Sequence, residues 1–121
     1  MHIIMGDENA VLFQEKYTVL KLDTLKLYPE EHLITAYAVI EQIPIQEMPK
    51  VESMRNLHEN LLINYLKKDW NYCTQAIEYL TGFWNGELDT FYADLQQRIN
   101  KYSEQDPGED WDGTIEKHPV G

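Results

Sequence analysis

Residues 49–102 carry three successive apolar stripes at the 3.6-residue period of an α-helix, and nothing else in the chain limits its fold as tightly. In the first stripe Val51, Met54, Leu57, Leu61, Leu62 and Tyr65 recur three or four residues apart. Glu52, Arg55, Glu59 and Lys67 fall largely on the opposite side. Pro49 suits the first helical position, where its missing N–H costs no hydrogen bond. Glu52 and Arg55 are spaced to pair along the surface, worth about 0.2–0.5 kcal/mol. The second stripe is Trp70, Cys73, Ile77 and Leu80, with Ala76 beside it, and Asp69 stands before it as an N-cap whose carboxylate accepts an orphan N–H. Gly82 suits its stop, because glycine enters the left-handed C-terminal position without strain. No Gly or Pro lies between Lys50 and Thr81, so the break between Lys68 and Asp69 is read as a tight hairpin in preference to a kink. The third helix is expected from Asn85 or Gly86, with Leu88, Phe91, Tyr92, Leu95, Ile99 and Tyr102 as its stripe. Glu87 and Asp89 sit at the positive end of its dipole, Arg98 and Lys101 at the negative end. Helices of this length are marginal alone in water, so the three stripes must be buried together.

The preceding residues read as a small sheet. His2, Ile3, Ile4 and Met5 form a first strand, Gly6 breaks it, and Asp7 caps a brief helix through Glu15 that carries Ala10, Val11 and Phe13. Residues 17–27 are β-branched and apolar, with Leu20 and Leu22 alternating against Lys21 and Asp23. Tyr28-Pro29-Glu30-Glu31 is a turn in which proline presets the second position. Residues 33–43 place Ile34, Ala36, Ala38 and Ile40 on one face, completing an antiparallel hairpin; a helical alternative for this second run stays open. Pro44 and Pro49 bracket a connector that Ile43 and Ile45 are expected to anchor in the core. The fold class is therefore α+β, as one domain over residues 1–102. Residues 1–45 form a small N-terminal antiparallel sheet with a short helix, and residues 49–102 form a three-helix half packed on it. Residues 103–121 hold Glu104, Asp106, Glu109, Asp110, Asp112 and Glu116 against Lys117, a net of −5, and read as a flexible acidic tail.

Charge and size narrow the function. A net charge of −11, from 10 basic and 21 acidic residues, repels phosphate backbones and anionic lipid surfaces. Neither direct nucleic-acid binding nor membrane binding is expected, and solubility is the ordinary reading of such acidity. No apolar run approaches the roughly 20 residues of a membrane span, and the start lacks a signal peptide's pattern. A lone Cys73 excludes an intramolecular disulfide and fits a reducing, cytoplasmic setting.

No motif carries catalysis. Gly6 between strand and helix lacks the glycines and the Lys-Ser/Thr pair of a phosphate loop. Asp110-Trp111-Asp112-Gly113-Thr114-Ile115 is similar to the middle of a calcium loop. Aligned on Gly113, however, its first position is Gly108 and its twelfth Pro119, where a bidentate glutamate is required. His58-Glu59 has Leu62 where a zinc helix needs its second histidine, and His2, His32 and His118 are scattered. Cys73 lies in an apolar stripe and is expected to be buried, not nucleophilic. Glu47, Glu52 and Glu59 read as surface charges. No catalytic residue, cofactor or metal is expected. The aromatic residues are in surplus: Tyr72, Tyr79 and Trp84 fall off the stripes and Trp111 lies among acids, where it reads equally as a partner anchor or as folding back on its own domain, so these four are the candidate partner-binding residues.

Tyr65-Leu66-Lys67-Lys68-Asp69-Trp70 followed by Ala76-Ile77-Glu78-Tyr79-Leu80 resembles the helix hairpin of a tetratricopeptide repeat, with an Asp-aromatic pair at the bend. Aligned on Trp70, Cys73 and Ile77 take the small and large packing positions of its second helix. Leu61 and Asn64 depart from the small and aromatic residues of its first. The resemblance covers one hairpin and implies a peptide- or protein-binding helical surface. The whole chain, through Gly6-Asp7-Glu8-Asn9-Ala10, Lys16-Tyr17-Thr18-Val19-Leu20 and residues 56–72, is similar to small proteins of marine tailed bacteriophages, for which no activity is established. The expected function is a non-enzymatic protein–protein interaction or accessory module that self-associates, in the host cytoplasm if phage-encoded. An acidic effector competing with nucleic acid for a basic host protein, and a small-molecule enzyme with a polar pocket, are the alternatives.

Overall fold

The computed structural model describes residues 2–117. The fold is α+β: a four-stranded sheet with a short helix at the N-terminus, followed by helices. It divides into two compact units, residues 2–41 with 112–117, and residues 42–111.

The first unit contains β1 (His2–Met5), α1 (Asp7–Gln14), β2 (Thr18–Leu27), β3 (His32–Ile40) and β4 (Ile115–Lys117) in the sheet order β1-β3-β2-β4. β2 and β3 are the expected antiparallel hairpin, joined through a cis Tyr28–Pro29 peptide and Glu31 at φ +54°. The second run is a strand, not a helix: it pairs with both β1 and β2, and at its end Ala38, Val39 and Ile40 are all buried. Leu20 and Leu22 are likewise buried while Lys21 is exposed. The register shifts between Lys21 and Thr24, where Leu22 and Asp23 oppose Ala36 alone: a bulge. α1 departs from expectation at its start. Asp7 does not cap it; Gly6, at φ +92°, occupies the cap position and has no side chain to offer. The Asp7 carboxylate instead accepts the Tyr37 hydroxyl proton, and the Gly6 N–H donates to Thr35 O at 2.8 Å.

The stretch read from sequence as a flexible acidic tail contributes β4, which runs parallel to β2 with Ile115 opposite Leu25 and Lys117 opposite Leu27. Acid count is a poor guide here, because strand pairing uses backbone N–H and C=O groups and leaves the carboxylates in water. Residues 118–121, with His118 and Pro119, lie outside the described residues.

The second unit contains α2 (Val51–Leu66), α3 (Trp70–Leu80) and α4 (Asp89–Glu104), with 3-10 turns at Ile45–Lys50 and Trp84–Gly86. The second and third stripes are largely buried, through Cys73, Ala76, Ile77 and Leu80 and through Leu88, Phe91, Tyr92, Leu95 and Ile99, whereas of the first only Leu61 and Tyr65 are, with Val51, Met54, Leu57 and Leu62 half-buried. Each such leucine or isoleucine contributes about 1.5–3 kcal/mol by leaving water. The break after α2 is a hairpin: Lys68 turns the chain at φ +62°, and the Asp69 carboxylate accepts the Tyr72 N–H at 3.2 Å. Gly82, at φ +85°, follows the last turn of α3 as expected.

Two boundaries and one anchor differ. Pro49 lies inside the first 3-10 turn, and α2 starts two residues later. Ile45 is 87% exposed and Ile43 only half-buried, so the connector is not anchored by both. With three residues per 3-10 turn, Ile45 and Met48 eclipse one another on an outward face. α4 starts at Asp89, not Asn85, because Trp84, Asn85 and Gly86 have φ of 22°, 56° and 72°, a left-handed run no α-helix admits.

Removing the hairpin cap tests this account. Asp69→Ala is expected to lower stability by about 1 kcal/mol, read as a lower urea midpoint at unchanged slope.

Candidate functional site

The second unit holds two aromatic groups of different character. The first is interior. Trp84 is 2% exposed and its indole Nε1–H donates to the Tyr92 hydroxyl oxygen at 3.1 Å. His58 Nδ1 lies 2.9 Å from the same hydroxyl. An indole N–H can only donate, so the assignment that satisfies all three atoms has the phenol donating onward to Nδ1, with the histidine proton on Nε2. Burial pushes the Tyr92 phenol well up, against the Trp84 hydrogen bond that would favour the phenolate; Asp89 adds to the rise. Phe83 and Phe91 pack against Trp84 and His58 with centroids 4.7 and 6.1 Å away. Trp84 is therefore not a partner-binding residue. Its positive φ turns the indole inward, and strain of about 1–3 kcal/mol is offset by its burial and hydrogen bond.

The second group lies at one end of the helices, with Tyr65 buried and Trp70, Tyr102 and Trp111 half-buried. Tyr65 ends α2, Trp70 begins α3 and Tyr102 lies in the last turns of α4. Successive helices that reverse direction bring these three ends together. Trp70 stands 5.9 Å from Tyr65 and 6.0 Å from Tyr102. Trp111 seats its ring edge-to-face among them, with centroids 5.1 Å from Tyr65, 5.4 Å from Tyr102 and 5.9 Å from Trp70. At the rim the Lys68 ammonium donates to Asp106 Oδ1 at 2.8 Å and Gly108 O at 2.9 Å. Asp106 Oδ1 also accepts the Gly108 N–H at 2.8 Å. Those two bonds, Lys68 foremost, hold the Asp106 carboxyl below the ordinary carboxylate range. Trp111, a candidate anchor for a partner, thus folds back onto its own unit. Of the remaining candidates Tyr72 is half-buried, and Tyr79 is 73% exposed on α3. The four candidates do not converge on one surface patch. Tyr65, Lys68, Trp70 and Tyr102 were not singled out from sequence, although each marks the end of a stripe or the bend between two.

In the first unit α1 leaves Val11 61% and Leu12 70% exposed, with Phe13 beside them. Leu12, Phe13, Lys16 and Tyr17 line a shallow depression of about 300 Å³. A larger open groove, about 540 Å³, runs past Gly6, Asp7, Asn9, Thr24, His32 and Thr35. Its polar groups are largely spent on structure. Asp7 takes the Tyr37 hydroxyl, which burial, foremost, and this bond push up to about 12; Asn9 donates to Met5 O at 2.8 Å; Thr24 and Thr35 pair at 3.3 Å.

The other residues weighed for chemistry have structural surroundings. Cys73 is fully buried, with Sγ 3.6 Å from Leu61 O on α2, and burial pushes its thiol up to about 12. Asp112, in the calcium-like segment, accepts both the N–H and the hydroxyl of Thr114, at 3.0 and 2.6 Å; these bonds hold its carboxyl low. Glu52 and Glu59 are exposed; Glu47 is half-buried.

Tyr92→Phe strands the Trp84 N–H and His58 Nδ1 in the interior and is expected to cost about 1–3 kcal/mol per orphaned group, read by urea unfolding. The tail clamp has a signed pH dependence. Asp106 is depressed in the folded chain, so its contribution is present above the unfolded aspartate value, near 3.9, and is lost as pH falls through the folded one. Below about pH 4 the Lys68–Asp106 contact is expected to loosen, read as a small change in tryptophan fluorescence that Asp106→Asn reduces, small because exposed ion pairs contribute little. Compared with known proteins, the chain matches no family model, and no curated protein and no solved structure matches it significantly.

Proposed function

We propose that this chain is a non-enzymatic protein–protein interaction module that self-associates through α1. On the phage resemblance it serves as an accessory factor in the host cytoplasm. The observation that supports this reading is the contiguous apolar run Val11, Leu12, Phe13, facing water beside a depression that Leu12 and Phe13 themselves line. Docking such side chains recovers about 1.5–3 kcal/mol each, and contiguous exposed apolar surface on a folded chain marks interaction sites. Lys16 at the edge of the depression supplies a cation in an acidic chain, a natural contact for Asp7, Glu8 or Glu15 of a facing copy.

Among the described residues, no helix is long and apolar enough to cross a membrane, in keeping with a protein partner and not a bilayer. The polar groove near Asp7 favours an enzyme less than a scaffold, since four of its polar side chains bond to neighbouring protein atoms.

Light scattering across a concentration series tests the proposal. The wild type is expected to exceed its 14.3 kDa monomer mass at micromolar concentration. Leu12→Asp, an exposed change that leaves the core untouched, is expected to shift assembly to at least ~10-fold higher concentration, the equivalent of about 1.4 kcal/mol. A wild type that stays monomeric throughout, with no change on substitution, removes α1 as the interface.

A further inference from the structure

The contacts that hold Trp111 form a socket with a plug in it, and the plug lies on the segment between the end of α4 and strand β4. Tyr65, Trp70 and Tyr102 offer ring faces to one indole, and Lys68 binds a carboxylate and a carbonyl from residues five and three positions earlier. That spacing is a recognition pattern: an acid, a glycine carbonyl and a tryptophan read by one cation and three aromatic rings. We propose that this socket is an exchangeable recognition site whose partner in trans is residues 104–113 of a second copy of this chain.

Three observations carry the proposal. A second copy presents Asp106, Gly108 and Trp111 at identical spacing, so every socket contact given up in cis is regained in trans once β4 releases β2, the condition under which element exchange between protomers is cheap. The cis hold is weak at its rim: Asp106 is 72% exposed, and exposed ion pairs of this kind add little. The segment also leaves α4 through Gln105 in an extended conformation, φ −132° and ψ 99°, so a small backbone rotation there redirects it. The seated indole supplies the attraction, because an aromatic side chain removed from water in an edge-to-face cluster is the strongest anchor this segment has. The inference deepens the interaction-module reading by naming a partner segment, and it uses no residue of α1.

The probe is a labelled peptide of residues 104–113, read by fluorescence anisotropy at physiological salt, where repulsion between acidic chains is screened beyond about 8 Å. It is added to two full-length chains, both carrying Leu12→Asp to remove α1 from the measurement. One keeps Trp111; the other is Trp111→Ala, which empties the socket. The peptide is expected to bind the emptied chain at least ~10-fold tighter. Lys68→Ala is expected to weaken that binding, and a peptide lacking the tryptophan is expected not to bind. Equal affinity for both chains, or no binding to an emptied chain that remains folded by circular dichroism, overturns the socket. Mixing the emptied chain with Trp70→Ala, whose tail is intact, is expected to give a heterodimer by sedimentation. Peptide binding without chain pairing overturns the second copy as partner and leaves a foreign acidic, tryptophan-bearing segment in its place. If Trp111→Ala does not fold, hydrogen exchange of the wild type decides: amides of residues 106–117 exchanging faster than those of α4 support exchangeability, and equal protection overturns it.

Discussion

The Tyr92 hydroxyl is the polar group on which the second unit turns. It is buried between an indole that can only donate and an imidazole nitrogen that can accept, and a phenol is the one side-chain group of that size able to do both at once. An apolar ring in its place would leave two polar atoms without water or partner. The same hydroxyl explains the left-handed run at Trp84, Asn85 and Gly86, since the chain must reverse there to deliver the indole inward from between two helices. Asn85 is among the few residues that tolerate such a φ, and its side chain donates to Gln42 O at 3.0 Å.

What was legible in the sequence is what periodicity encodes. The three stripes, the hairpin at Lys68 and Asp69, the stop at Gly82 and the β2–β3 pair all follow from spacing and local capping chemistry. What was not legible depends on contacts distant in sequence or on turn geometry. Trp84 falls off every helical stripe because it is not on a helix, so stripe membership misreports its burial. Ile45 was read as an anchor from its hydrophobicity, and the eclipsing geometry of a 3-10 turn overrode that. Strand β4 was hidden because parallel pairing of three residues leaves no composition signal, and the acids around it dominate any count.

The aromatic cluster at the helix ends lies between these cases. Tyr65 is the last member of one stripe, Trp70 the first of the next and Tyr102 the last of the third. In an antiparallel run of three helices those positions share one end. The sequence therefore carried the socket once the hairpin was granted. Only Trp111, nine residues beyond Tyr102 in an acidic stretch, needed the coordinates, because nothing local says which way an extended segment turns.

Many of the polar groups away from solvent are paired with one another, while part of the apolar surface is not covered. In the interior, Tyr92, Trp84 and His58 bond to one another, and Cys73 has its thiol proton held by burial. In the open groove of the first unit, Asp7, Asn9, Thr24 and Thr35 also bond within the protein. Large apolar side chains also face water on several elements: Val11 and Leu12 on α1, Ile45 and Met48 on the connector, Ile63 and Leu66 on α2. A chain of net charge −11 can carry such surface without collapsing onto itself, because like charge opposes unspecific association while leaving a shape-matched contact available. Acidity and exposed hydrophobicity, which look opposed in a composition table, are thus compatible in one chain.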